Sequence, residues 1–217
     1  MQDSTVGYAW AASLARTGEL KQASETLSQF ESVNVTSDTL LLVGQLWIEI
    51  GDYDRALISL HRALQSGASL PKAHYYAGLA CLRLGHWPEA ASEFQAELAL
   101  APADPDAKYN LGFVYLQQAR VDEAAELFQQ VITAHPDYAN AQYQLGKILL
   151  ERGQIAEAVA HLETAARLNP QTDYVHYQLQ AAYRKESRTA DADRELELYK
   201  QIKAKSRERT ASTSQTP

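Results

Sequence analysis

The stretch from Pro71 to Asp104, PKAHYYAGLACLRLGHWPEAASEFQAELALAPAD, decides the fold. Its first part, residues 72–84, places apolar side chains at helical spacing. Gly85 follows where a left-handed helix end is favoured. A second helix is predicted from Trp87, with Pro88 in the first turn, where its missing N–H is harmless. It should end at Ala101-Pro102, because a proline disfavours helix in the residue before it.

The pattern then recurs. Gly44, Gly78, Gly112 and Gly146 are spaced by 34 residues, and Gln180 falls on the next step. Ala56, Ala90, Ala124, Ala158 and Ala192 form a second ladder with the same period. Leu60, Phe94, Phe128, Leu162 and Leu196 form a third, and Pro102, Pro136 and Pro170 a fourth. Gly18, Gly51 and Gly153 match Gly85 as helix terminators. A lone amphipathic hairpin cannot bury its apolar side, whereas stacked copies share a continuous core. Glycine on the first helix and alanine on the second are read as letting the axes approach, with the large residue filling the flank.

These residues resemble the tetratricopeptide repeat. The unit 71–104 carries His74 where tryptophan is usual, then Ala77-Gly78, Cys81, Gly85, Trp87, Ala90, Phe94 and Pro102. The resemblance implies an all-α, right-handed superhelical solenoid of antiparallel helix pairs. Six repeats are expected, at about 4–36, 37–70, 71–104, 105–138, 139–172 and 173–205, forming a single solenoid over 1–209. The first unit runs one residue short of register through Ala11, Leu14, Gly18, Leu20, Ala23 and Leu27. The last departs most, with Gln180 for the glycine and Ser187 for the helix-ending glycine. Its second helix should extend from about 189 towards 205, with a polar outer face and a disordered tail at 210–217.

Composition agrees with a folded helical protein: 217 residues, 46% hydrophobic and 22% charged, with a net charge of −7. The negative balance argues against nucleic acid, whose phosphates need a cationic face. One cysteine, Cys81, leaves no internal disulfide and reads as a small buried hydrophobe. No apolar run is long enough to span a bilayer, so direct membrane insertion is not expected. The first ten residues lack a signal peptide's basic and apolar regions. The compartment is unknown and cytoplasmic by default; a mature part of a longer protein is the other reading.

Phosphate-loop, nucleophile-elbow and zinc-protease motifs are missing, so no catalytic residue, metal ligand or cofactor is assigned and no enzyme is expected. His61, His74, His86, His135, His161 and His176 are scattered over the repeats and read as packing residues. Glu89 and Glu93, one turn apart, read as a solvated face.

The resemblance further implies that the first helix of each pair lines a concave groove where partner peptides lie. On that surface fall Tyr75, Tyr109, Tyr143 and Tyr177, each three residues before the repeat's glycine position. Leu79, Leu82, Phe113 and Leu116 would add an apolar strip, and Lys147 a cation. Asn110 matches one position of the carboxylate clamp found in part of the family. Tyr75, Leu79 and Gln144 occupy the other clamp positions, so that clamp is not expected. The expected function is a non-catalytic interaction scaffold that grips an amphipathic or extended segment of another protein. The alternatives are self-assembly into a homo-oligomer, through an uncapped first repeat exposing Val6, Tyr8 or Trp10, and a module of a larger enzyme or secretion protein.

Overall fold

The computed structural model describes residues 4–31, 36–65 and 70–213. Among these residues there are twelve helices and no strand: α1 (Ser4–Arg16), α2 (Leu20–Glu31), α3 (Ser37–Ile50), α4 (Tyr53–Leu64), α5 (Ala73–Leu84), α6 (Trp87–Leu100), α7 (Pro105–Gln117), α8 (Val121–Ala134), α9 (Ala139–Glu151), α10 (Ile155–Leu168), α11 (Asp173–Lys185) and α12 (Thr189–Thr213). They form two compact units, Met1–Ala119 and Arg120–Pro217.

In the first unit α1/α2, α3/α4 and α5/α6 pack as hairpins, and α2, α4 and α6 each also pack on the helix that follows. The odd-numbered helices touch in series, α1 on α3, α3 on α5, and α5 on α7. In the second unit α9/α10 and α11/α12 are the hairpins, α8 packs on α9, and α9 touches α11.

The glycine ladder has a specific steric cause. A Cβ built on Gly78 would lie 2.7 Å from Cε1 of Phe94, inside any tolerated contact. At Gly44 the obstacle is Leu60 at 2.5 Å, and at Gly146 it is Leu162 at 2.8 Å. The vacant Cβ position therefore seats the large residue of the same hairpin, which is fully buried in all three cases. This sharpens the sequence expectation, which put that residue on the flank. The alanine ladder, Ala56, Ala90, Ala124, Ala158 and Ala192, is also fully buried.

The helix ends follow the same spacing. Gly85 has φ 77° and its N–H closes on the carbonyls of Cys81 and Leu82. Ala119 and Ser187 take the same left-handed conformation, φ 59° and 61°, although each carries a Cβ. That conformation costs an L-residue roughly 1–2 kcal/mol. Two boundaries differ from expectation. Lys72 precedes α5 with φ 68° instead of joining it. α12 continues to Thr213, so helix replaces the first residues of the expected tail, and 214–217 lie outside the described residues.

Candidate peptide-binding face

Tyr75, Leu79 and Leu82 lie on α5 at spacings of four and three residues, which puts them on one side of the helix. Tyr109, Asn110, Phe113 and Leu116 repeat the arrangement on α7. All seven are half-buried, so the strip is shallower than the sequence suggests: none is in the core and none projects freely. α5 and α7 are in direct contact, and the Asn110 side chain lies on the side of α7 near the Tyr75 phenol. Asn110 also donates its amide to the Asp106 carbonyl, at 2.8 Å, which fixes its orientation.

Tyr75 is held from several sides. Its ring is 5.4 Å from that of Tyr76, edge-on, and 6.0 Å from that of Phe94. The Lys72 ammonium sits 4.5 Å from its centroid, a cation–π arrangement. Burial, with Asp106 and Asp104 nearby, pushes its hydroxyl up to about 12, so it remains a protonated donor.

Beneath this tyrosine lies a residue that the sequence reading missed. Glu97 on α6 is 2% exposed. One carboxylate oxygen accepts from the Lys72 N–H and the other from the Tyr75 N–H, both at 3.2 Å. Lys72 forms no side-chain cap, so the neighbouring helix supplies the anion that the N-terminus of α5 attracts. The Lys72 ammonium donates to Asp104, 2.5 Å away, and Asp104 in turn caps α7 by accepting from Asp106 N and Ala107 N. One signal was available: Ala63, Val131 and Ala165 occupy Glu97's place in other repeats, making a charge there exceptional.

In the second unit Tyr143 packs edge-on against Tyr174 at 4.7 Å. Tyr177 is 51% exposed and rests on Tyr199 of α12 at 5.5 Å. Lys147 is half-buried and lies 3.9 Å from Glu151, one turn on. An open depression at the start of α9 and the end of α10, lined by Asp137, Tyr138, Asn140, Leu168 and Asn169, contains none of the expected binding residues.

His61, His74, His161 and His176 do more than pack. His74 Nδ1 donates to Glu93 at 2.7 Å, and His61 Nε2 approaches the other oxygen of that carboxylate at 3.2 Å. Glu93 is thus a link between α4, α5 and α6 instead of part of a solvated face. The same relation returns as Gln142 with His161 at 2.6 Å and His176 with Glu195 at 2.6 Å. Gln142 donates to the Pro136 carbonyl and His176 contacts the Pro170 carbonyl, so each pair also ties its hairpin to the preceding turn. Cys81 is buried, and desolvation with Glu93 and Glu89 nearby pushes its thiol up to about 11, which disfavours the nucleophilic thiolate. Among the described residues no cluster of histidine, cysteine and carboxylate could hold a metal ion, and no helix is long and apolar enough to cross a membrane.

The comparisons agree with this architecture. A search of curated proteins found no match. Among solved structures, MamA (residues 41 to the end) of Desulfovibrio magneticus RS-1 superposes with a TM-score of 0.69 at 22% identity, covering 78% of this chain and 96% of that one. A Pseudomonas aeruginosa structure, pilF, gives a TM-score of 0.69 at 22% identity, covering 76% of each chain. At such identities the likeness is one of fold. The family model for the C-terminal ARM domain of tetratricopeptide repeat protein 21 matches residues 8–145, and one for the tetratricopeptide repeat matches residues 115–183. With more than half of its length matched and twelve helices at the repeat spacing, the chain belongs to the tetratricopeptide-repeat family of protein-interaction scaffolds.

Proposed function

We propose that the chain is a non-catalytic scaffold that binds an amphipathic or extended segment of another protein on the first unit's α5–α7 face. One observation carries the reading: the contact between α5 and α7 brings together two helix faces whose apolar residues are only half-buried. Leu79, Leu82, Phe113 and Leu116 supply area that a partner's apolar side chains can cover. The Tyr75 hydroxyl and Asn110 amide supply orienting hydrogen bonds within the same face. Tyr143, Lys147 and Tyr177, on the second unit, are assigned a secondary role as a separate contact patch of that unit.

Affinity capture from the native source tests this. The Leu79→Asp, Phe113→Asp double variant should lose partners that the wild-type chain retains, while circular dichroism shows unchanged helix content. Leu79→Gln alone, a milder change, should weaken capture several-fold. Full retention of every partner by both folded variants would refute the reading.

A further inference from the structure

Four tyrosines of the second unit form a ladder across three helices. The Tyr143 ring on α9 meets Tyr174 of α11 edge-on, at 4.7 Å. Tyr177 follows three residues along α11, on the same side, and its ring is 5.5 Å from that of Tyr199 on α12. Two of these rings are not required by the repeat. The four preceding repeats place Asp38, Lys72, Asp106 and Asn140 at the step of Tyr174, and Ala63, Glu97, Val131 and Ala165 at that of Tyr199. Tyr174 is 46% exposed, and Asn140, at the same step inside the array, is exposed as well, so the position itself faces solvent. The aliphatic strip of the first unit has no counterpart beside this ladder. The steps of Leu79, Leu82, Phe113 and Leu116 hold Lys147, Leu150, Ala181 and Arg184, and Leu150 is buried.

We infer that this ladder docks a proline-rich segment of another protein in the polyproline II conformation. Such a segment presents flat pyrrolidine rings that pack on aromatic rings. Its carbonyls make no internal hydrogen bonds and can accept from tyrosine hydroxyls. Because it is extended before it binds, little ordering cost is added. The charges near the ladder favour an uncharged occupant. Lys147 lies 3.9 Å from Glu151, and Lys203 donates to the Tyr199 hydroxyl at 2.6 Å. Residues 120–217 as a whole carry 14 acidic and 13 basic side chains, a balance that gives a phosphate backbone no net attraction. Asn140, one turn before Tyr143 on α9, lines the open depression at the start of that helix and adds an amide donor there. The inference concerns the second unit alone and does not depend on the α5–α7 face.

Isothermal titration of the full chain with a blocked decaproline peptide tests this. The wild type should bind it, and Tyr174→Ala, a change at an exposed position, should weaken binding about tenfold, the loss of one anchoring ring. Tyr174→Phe, which keeps the ring and removes the hydroxyl, should weaken it less. If Tyr174→Ala loses helix content by circular dichroism, Tyr177→Ala is read in its place. The Leu79→Asp, Phe113→Asp double variant should bind decaproline like the wild type, so that failure here and failure of the α5–α7 reading are told apart. A folded wild type that takes up no decaproline overturns the inference. So does binding that is unchanged in both tyrosine-to-alanine variants. Tighter binding of oligothymidylate, lost in Tyr174→Ala, would also overturn it, by making the ladder a base-stacking surface.

Discussion

In α5/α6 the Phe94 ring occupies the space above Gly78 and is fully buried; in α11/α12 the glycine's place holds Gln180, and Leu196, at the Phe94 position, is only half-buried. Glu97 caps the start of α5 from beneath, whereas the same step in the last hairpin is Tyr199, which supports Tyr177. Gly85 ends α5 without strain, and Ser187 ends α11 at φ 61°. The spacing is common to both and both bury an apolar core, but the last hairpin adds polar contacts near its turn, some of them to Glu163 of α10. There Tyr183 donates to Glu163 at 2.6 Å, the Arg188 guanidinium lies 4.2 Å from the Tyr183 ring, and Arg188 also pairs with Asp191 at 2.6 Å. The repeat therefore specifies where contacts fall, while the chemistry at each place is free to vary.

Truncating the large residue should separate the two hairpins most. Phe94→Ala should cost about 3–5 kcal/mol, the range for a buried phenylalanine, and Leu196→Ala markedly less, as read from thermal and urea unfolding. Equal losses would mean that the two hairpins share one mode of packing. Next in size, Glu97→Ala leaves two N–H groups at the start of α5 unpaired and should cost about 1–3 kcal/mol. Hydrogen exchange should quicken at the Tyr75 and Lys72 amides, and Tyr199→Ala should not reproduce that effect.

The helix ends give a smaller contrast of opposite sign. Ser187→Gly should stabilise the protein by about 1 kcal/mol by relieving the left-handed serine, and Gly85→Ala should destabilise it by a similar amount. The smallest effect is a pH dependence in the second unit. Burial holds His161 below the ordinary histidine value, so the fold favours its neutral form, whose Nδ1–H donates to Gln142. Its contribution is complete above the unfolded histidine's pKa of about 6.5 and is lost as pH falls through the lower folded value. His161→Gln should flatten that part of a stability–pH curve.

Much of this was legible in the sequence, because backbone spacing and side-chain volume are written there directly. The glycine, alanine and proline ladders placed α5 and α6 to within a residue, whereas α12 runs on to Thr213, past its expected end near 205; of Val6, Tyr8 and Trp10, named as exposed, Trp10 is. The candidate face was legible as a list of residues but not as a depth. Half-burial of Leu79 and Phe113 depends on how closely α5 and α7 approach, which single-helix periodicity does not carry. The polar contacts were read wrongly for a related reason. Glu93 looks solvated on its own helix, and its two histidines come from α4 and α5. The partners of Glu97 are backbone amides, which leave no mark in a sequence; its own mark is a charge where other repeats carry Ala63, Val131 and Ala165.

The central claim is that the α5–α7 face of the first unit takes the partner. A photoreactive residue placed at position 113 should cross-link a partner protein in extract from the native source, and one at position 79 should yield the same adduct. Placed at Ile58, exposed on α4, it should yield none. Capture at 58 with silence at 79 and 113 would contradict the account.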